Sequence, residues 1–304
     1  MPIISSTSPD RSVLDLVEKV RAFGAGLGIK DDTIAYLAND ISATDTTIAV
    51  DDASSISAGW LEIDLELFRV KQVDPQANTV TVAPAGRGYR GTKAVQHKAG
   101  TEVLFKPIMP RSVVLREINH EIAGLYPTLM GIDTTDLTLG APTVRAYGIP
   151  EDADAVVDVR WKDQLGNWNR IHSWETEFSA NTDSFPTGIA LSLGEAYPAG
   201  TAVQVVYARR PRLLTGLDDM FSATGLADGV ADVVELGAEV RLLPAFDIAR
   251  LSYLTVSEND IQANRQVGSG VIISRELKQQ YAVRLDAEQR AFAKKYPPRL
   301  HRVS

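Results

Sequence analysis

Residues Arg111–Leu125, with the sequence RSVVLREINHEIAGL, mark the point where the chain changes its hydrophobic period. Apolar side chains recur here at helical spacing and share one face, whereas the charged residues lie elsewhere on the helix. The shared face carries Val114, Leu115, Ile118, Ile122 and Leu125. Pro127 and Gly131 follow and end the pattern. The stretch therefore predicts an amphipathic helix between two regions of a different kind.

Both flanking regions contain short alternating stretches that predict β-strands. Between residues 41 and 105, Asp, Gly, Pro and Asn turn signals separate these stretches, which favours a small β-barrel or sandwich. The predicted strands are Thr46–Val50, Trp60–Asp64, Phe68–Val73, Thr79–Val82 and Val103–Phe105. Between residues 138 and 211 the even spacing favours a β-sandwich. Its predicted strands are Val156–Trp161, Trp168–Ile171, Glu175–Phe178, Gly188–Leu193 and Ala202–Arg209.

The two ends of the chain have helical periodicity. A first helix is predicted to start at Ser8–Asp10, to carry apolar residues at helical spacing from Val13 to Phe23, and to end at the glycines that begin with Gly24; a short helix or turn is predicted around Thr33–Leu37. Two long helices are predicted over about Val230–Thr255, with a kink or break at Pro244, and over about Ile272–Tyr296. We therefore expect an α+β fold. Its predicted parts are an N-terminal helical segment (1–39), a small β module (40–107), a helical domain (108–135 and 213–296), an inserted β-sandwich (138–212) and an extended basic arm (297–304).

Composition and charge exclude several classes of function. The 304 residues include no cysteine, which removes disulfides, thiolate nucleophiles and zinc sites that depend on sulfur. The net charge of −8 disfavours a general nucleic-acid coat. From Arg275 onward, however, eight Lys and Arg stand against three Asp and Glu, a net +5 that leaves −13 for the remainder. Neither a membrane span nor a signal peptide is recognisable, so we expect a protein of an aqueous compartment without a membrane partner.

The segment Gly86–Gly91 reads GRGYRG and matches the glycine spacing of a dinucleotide-binding loop. The residues after it are too few and too soon interrupted by glycine for a crossover helix, and no acid follows at the required distance. A loop between strands, with Tyr89 folded back onto the β module, is the favoured interpretation. We expect no cofactor.

Acidic residues occupy every second position from residue 62 to residue 66. If Trp60–Phe68 forms one strand, Glu62, Asp64 and Glu66 share a face, which allows a cation site or a glycosidase pair. A half-buried strand with a solvated acidic face is favoured over both. The four histidines lie far apart in the sequence, and we expect solvated or capping side chains instead of metal ligands or bases. They are His97, His120, His172 and His301.

Three tryptophans cluster in the predicted β-sandwich. Trp161, Trp168 and Trp174 surround Asn167 and Asn169. Indole rings that stack on sugars beside amides that bind hydroxyls would form a carbohydrate-binding face. Core packing together with a turn explains the same residues, because a tryptophan buries a large area. Both interpretations remain open.

The C-terminus combines cations with apolar side chains. Two prolines, Pro297 and Pro298, favour an extended segment. Such a segment is either a solvated tail or an arm that docks on an acidic partner, with charge for steering and apolar groups for anchoring. We favour the docking arm. Its predicted docking residues are Lys294, Lys295, Tyr296, Arg299, Leu300 and Arg302.

A family resemblance lies between Glu66 and Leu104. Arg87-Gly88-Tyr89-Arg90-Gly91-Thr92, followed by His97 and by Gly100-Thr101-Glu102-Val103, resembles a small β module of tailed-bacteriophage virion proteins. The helical half, with Glu235–Leu243 and the closing helix and arm, is similar to head-to-tail connector (adaptor) proteins. This resemblance implies a homo-oligomeric ring of 12 copies beneath the portal. It also implies that DNA passes through the centre without sequence-specific binding.

The resemblance and the residue patterns together give three expectations for function. The first is a non-enzymatic structural subunit of a bacteriophage head-to-tail connector that joins the portal protein to the tail proteins, located in the virion and made in the host bacterial cytoplasm. Subunit contacts are expected in Arg111–Leu125 and Val230–Tyr296. The alternative is a tail or baseplate protein whose β-sandwich binds carbohydrate or a receptor-binding protein. The third, an enzyme acting on cell-wall glycans, would use Glu62 or Asp64.

Overall fold

The computed structural model describes residues 10–26, 33–254 and 269–297 and has a mixed α and β fold. Its four helices are α1 (Val13–Gly26), α2 (Arg111–Leu125), α3 (Val230–Leu254) and α4 (Ser269–Lys295) among these residues. The chain divides into two compact units. The first contains the described residues up to Glu121, Leu214–Phe221 and the described part of Gly229–Leu285. The second contains Ile122–Leu213, Ser222–Asp228 and the described residues from Asp286 onward.

The first unit is built on a six-stranded antiparallel sheet. Its strands are β1 (Thr33–Tyr36), β2 (Thr47–Ala49), β3 (Gly59–Ile63), β4 (Glu66–Asp74), β5 (Thr79–Val82) and β6 (Glu102–Phe105). They lie in the order β1-β6-β3-β4-β5-β2. The sheet curls until its two edge strands meet, where Leu37 pairs with Val50 and the Ala38 N–H donates to the Ala49 carbonyl at 2.9 Å.

Alternation of side chains fills the inside of this curled sheet. All six strands contribute buried apolar residues to one cluster, because every second side chain of a strand points to the same face. The cluster includes Ala35, Ile48, Leu61, Ile63, Phe68, Val70, Val80, Val82, Val103 and Phe105. The inner positions of the curled sheet are therefore apolar along most of their length.

Helix α1 begins at a side-chain cap and packs within the same unit. The Ser12 hydroxyl accepts a hydrogen bond from the Asp15 N–H at 3.0 Å, which satisfies one of the free amides of the first turn. Val13, Leu16, Val17 and Val20 are fully buried on one face of the helix. An ion pair of 2.9 Å joins Lys19 to Glu235 of α3.

The second unit contains two antiparallel sheets that share one core. The strands are β7 (Gly131–Thr138), β8 (Ala146–Gly148), β9 (Ala155–Lys162), β10 (Trp168–Arg170), β11 (Trp174–Glu177), β12 (Ala190–Leu193) and β13 (Ala202–Arg209). One sheet has the order β10-β9-β13-β7 and the other the order β11-β12-β8. A single hydrophobic cluster takes Val159 and Val205 from the first sheet and Trp174 and Leu191 from the second.

Several predicted elements are confirmed and three need correction. The bounds predicted for α2, β5 and β13 are those observed. The predicted helix or turn at Thr33–Leu37 is wrong, because β1 pairs there with β6, so the segment 1–39 is not wholly helical. The helical segment predicted over 108–135 ends at Leu125, and Gly131–Thr138 forms β7. The helix predicted to kink or break at Pro244 continues through that residue.

Candidate functional site

The loop between β5 and β6 is held in place by one buried carboxylate, that of Glu66 at the start of β4. Glu66 pairs with Ile63 across the β3–β4 hairpin and so lies on the inner face of the sheet. Its Oε1 accepts hydrogen bonds from Arg87 Nε at 2.8 Å and from the Gly88 N–H at 3.0 Å. Its Oε2 accepts from Arg87 Nη2 and from the Val95 N–H, both at 3.0 Å. One side chain therefore fixes the loop at several points.

His97 completes this cluster, which we call the Glu66 network: Asp64, Glu66, Arg87 and His97. The imidazole is buried, with Nε2 3.0 Å from Glu66 Oε2 and Nδ1 2.7 Å from Asp64 Oδ2. Because each ring nitrogen faces a carboxylate oxygen, both nitrogens carry a proton and the ring is an imidazolium. The Arg87 guanidinium also lies over the Phe68 ring at 4.7 Å from its centroid.

Two opposing effects set the pKa values in the Glu66 network. Burial alone lowers the pKa of His97, but the hydrogen bonds that the ring makes to Asp64 and Glu66 outweigh it, and the pKa is raised above its ordinary value. Burial likewise raises the pKa of Glu66, but His97, Arg87 and two backbone amides lower it to about 2. The two shifts favour the ionised form of each group, and the two groups are paired with each other. Such pairing stabilises the loop that they hold.

The predicted solvated acidic face is wrong. Residues 60–68 do not form one strand, since β3 ends at Ile63 and a two-residue turn at Asp64 and Leu65 begins a hairpin. Asp64 takes a left-handed conformation there, with φ of 53°. The hairpin pairs Ile63 with Glu66, so Glu62 and Glu66 lie on opposite faces and both are buried.

Glu62 on the outer face holds the first turn of α2. Its Oε2 accepts the Arg111 N–H at 2.9 Å and its Oε1 accepts the Ser112 N–H at 3.2 Å. These amides have no partner within the helix, and the positive end of the helix favours a carboxylate. Burial nevertheless dominates and raises the pKa of Glu62 to about 7, against the lowering effect of both amides. Glu62 therefore changes its charge near neutral pH.

The GRGYRG segment is the loop that its context predicts. Tyr89–Gly91 forms one 3-10 turn, and the next strand is β6, so no crossover helix follows the glycines. Gly88 has a φ of 60°, and a Cβ atom there would lie 2.7 Å from the Thr92 carbonyl oxygen. The glycine is needed for this close approach of the backbone to itself.

The three tryptophans do not form one face. Trp174 is buried in the core of the second unit, and Trp161 packs against that core with its ring 5.6 Å from that of Tyr197. Trp168 is exposed over 41% of its surface. The amides of Asn167 and Asn169 donate to Asp163 and belong to a turn. Core packing and a turn thus account for all of these residues except Trp168.

The predicted docking residues fall partly within the described chain. Lys294 and Lys295 are exposed in the last turn of α4. Tyr296 continues the helix through a 2.8 Å backbone hydrogen bond to Phe292, and its ring lies 5.3 Å from the Phe292 ring. The other predicted residues, Arg299, Leu300 and Arg302, lie outside the described residues.

A third buried carboxylate, that of Glu121, joins three helices of the first unit. Glu121 of α2 accepts a hydrogen bond from the Tyr281 hydroxyl of α4 at 2.6 Å and pairs with Arg241 of α3 at 2.9 Å. A Cβ atom at Gly237 of α3 would lie 2.4 Å from the Glu121 Cδ, so only glycine leaves room for the carboxylate. The two helical stretches that flank the second β region are thereby connected.

Within residues 10–26, 33–254 and 269–297, no group of three or more His, Asp or Glu side chains is placed to hold a metal ion. No helix in the same part of the chain is long and apolar enough to cross a membrane. No family model matches this chain, and no curated protein matches it.

Proposed function

We propose that this chain is a structural subunit of a tailed-bacteriophage virion, in which copies form a head-to-tail connector ring that joins the portal to the tail around the DNA. In this proposal the helical domain carries the subunit contacts and the second β region is a β-sandwich inserted into it. The basic C-terminal arm docks on an acidic neighbour.

The observation that carries the proposal is the exposed end of α4. At 27 residues the helix is about 40 Å long. A helix of a globular protein ordinarily buries one stripe of its surface, yet no residue from 286 to 297 is buried. The final turns present Lys294 and Lys295 beside the Phe292–Tyr296 ring pair. Partly exposed rings beside cations suit an interface with an acidic protein surface.

The buried ionisable groups support a structural role. Glu62 caps a helix, Glu66 and His97 neutralise each other, and Glu121 joins three helices. Each is used to hold backbone segments or helices together. The polar residues of the phage-like motif, Arg87 and His97 among them, serve this internal purpose.

Imaging of the oligomer tests the proposal. We expect 12-fold rings of the purified chain in electron micrographs. Deletion of residues 297–304 should block joining to the portal while circular dichroism and Tm stay unchanged. The double variant K294E/K295E should also weaken joining to the portal. A matched control, K71E/K93E, makes the same charge change at two exposed sites of the first unit and should leave rings and joining intact. A monomer at all concentrations would contradict the proposal.

The alternative, a tail or baseplate protein whose second β region binds carbohydrate or a receptor-binding protein, has one observation in its favour. Trp168 is the most exposed tryptophan of that region, with 41% of its surface accessible to solvent. Loss of glycan affinity in W168A without any effect on assembly would favour this second candidate.

A further inference from the structure

The outer face of the β10-β9-β13-β7 sheet presents an aromatic ring among cations. Trp168 pairs with Lys162, and Arg170 pairs with Arg160, in the antiparallel register of β10 and β9. Cross-strand partners and residues two positions apart on a strand share a face, so all four side chains lie on the same side of the sheet. Val159 and Trp161, at the intervening positions, face the core. We call the outer set, Arg160, Lys162, Trp168 and Arg170, the tryptophan–arginine face.

Two arginines directly opposite each other are an unfavourable pair in a sheet, since like charges repel. Asp158 offsets this repulsion only in part. Its Oδ2 accepts a hydrogen bond from Arg160 Nε at 2.7 Å, and its Oδ1 forms an ion pair with Arg170 Nε at 2.7 Å. One carboxylate thus orients two guanidinium groups and leaves a net positive charge.

The Nη atoms of both arginines remain available. Within residues 33–254 neither guanidinium donates an Nη hydrogen bond to the protein, and both side chains are about half exposed (47% for Arg160 and 52% for Arg170). A guanidinium held through Nε keeps a pair of Nη donors in the geometry that binds a carboxylate or phosphate. Because Asp158 already fixes their position, binding costs less side-chain entropy.

Trp168 stands about 7 Å along the strand from the arginine pair. The Lys162 ammonium lies 5.8 Å from the centre of its ring, and 41% of the residue is exposed. An indole presents a flat apolar surface to the C–H face of a sugar ring. The adjacent cations lie where an acidic substituent of that ring would project. Ring and charge together match a ligand that is flat, partly apolar and anionic.

We infer that the tryptophan–arginine face binds an acidic saccharide, with Trp168 stacked on a pyranose ring and Arg160 and Arg170 bound to its carboxylate. Single-stranded nucleic acid also combines rings with charge. The face offers a single ring, however, whereas proteins that bind single strands stack successive bases on several aromatic side chains. The inference rests on the second candidate function, that the second β region is a binding module.

Calorimetric titration of the full chain tests the inference with three probes. The probes are hexagalacturonate, its fully methyl-esterified form, which is neutral, and a twelve-residue oligothymidylate. We expect hexagalacturonate to bind, and esterification to weaken binding because the carboxylates are lost. W168A should lower the affinity by about tenfold, and R170Q by a similar factor, since R170Q leaves Asp158 paired with Arg160.

Two variants control for surface changes within the same unit. F178A removes another exposed aromatic ring and R145Q another exposed arginine, both away from the tryptophan–arginine face, and both should bind as the unaltered chain does. An unchanged Tm in each variant shows that the fold is kept.

Three results would overturn the inference. Equal binding of the neutral probe, still lost in W168A, would keep the second candidate function but remove the acidic class of ligand. Tighter binding of the oligothymidylate through the same residues would assign the face to nucleic acid. Absence of binding by all three probes at millimolar concentration would remove the site altogether.

Discussion

At the scale of single residues, Glu66 has the largest structural effect relative to its size. It accepts hydrogen bonds from two side chains and two backbone amides. From the sequence, residues 60–68 are treated as one alternating strand, and this prediction places the Glu66 carboxylate on a solvated face. The two-residue turn that begins at Asp64 interrupts the strand, so Glu66 lies on the face opposite to the predicted one. The left-handed conformation of Asp64 has no strong sequence signal. The burial of Glu66 depends on this local turn.

We predict that H97Q lowers the free energy of unfolding by about 3 kcal/mol, because it leaves two carboxylates next to a neutral side chain. The raised pKa of His97 also sets a pH dependence. Its stabilising effect is fully present below the ordinary value of 6.5 and is lost as the pH rises through the raised value. Urea unfolding at pH 6 and pH 9 measures both effects.

The matched control for this substitution is H120Q. The His120 side chain is 57% exposed, and it pairs with Glu117 on the same helix. Its stability should equal that of the unaltered chain at both pH values. Equal stability of H97Q and H120Q would show that the Glu66 network contributes nothing to the fold.

For Glu62 we predict that E62Q gains stability relative to the unaltered chain as the pH rises. The pKa of Glu62 is raised to about 7, so ionisation of the folded chain at higher pH is costly, whereas a glutamine can still accept the Arg111 N–H without a charge. The difference in unfolding free energy should be small at pH 5 and should favour E62Q at pH 8. A constant difference between these pH values would show that burial does not control this group.

At the scale of elements, periodic apolar patterns predicted most of the helices and strands. The bounds of α2 were predictable because five apolar residues at helical spacing stand before a proline. Three strands, β1, β7 and β8, were missed for a shared reason. None of them alternates regularly between apolar and polar residues, and each owes its extended form to pairing with a strand distant in the sequence, β6, β13 or β12. Pairing of this kind leaves no local signal.

The junction of α2, α3 and α4 gives a prediction on element packing. G237A should destabilise the chain by about 1–3 kcal/mol, even though alanine favours helix, because its Cβ atom would displace the Glu121 carboxylate from Tyr281 and Arg241. The matched control, G124A, replaces an exposed glycine in α2 and should stabilise the chain by up to about 1 kcal/mol. The Tm values of both variants, measured by thermal unfolding, test this prediction. A higher Tm for G237A would show that the Glu121 carboxylate has room to move.

At the scale of the whole molecule, the uneven charge is the feature that composition alone revealed. The charge difference between the last 30 residues and the rest does not depend on the fold, and it was therefore predictable. The position of Lys294 and Lys295 on an exposed helix end was predictable only in part. A periodic pattern indicates which residues lie on a helix, but it does not show which end of that helix is exposed to solvent.

Assembly through this basic end should weaken with salt. Exposed charges are screened over about 10 Å at 0.1 M salt and over about 3 Å at 1 M. We expect sedimentation velocity to show fewer large oligomers at about 0.5 M NaCl than at about 0.05 M. Oligomers that resist salt would mean that apolar contacts of α3 or α4 dominate the interface.

The Glu66 network has one further consequence. Segments far apart in the sequence all bind a single acidic group, that of Glu66. Once one of its partners has been replaced, the remaining partners therefore stabilise the fold less. Double substitutions there should cost much less than the sum of the single ones. We therefore expect related sequences to keep Asp64, Glu66, Arg87 and His97 as one set or to replace them as one set.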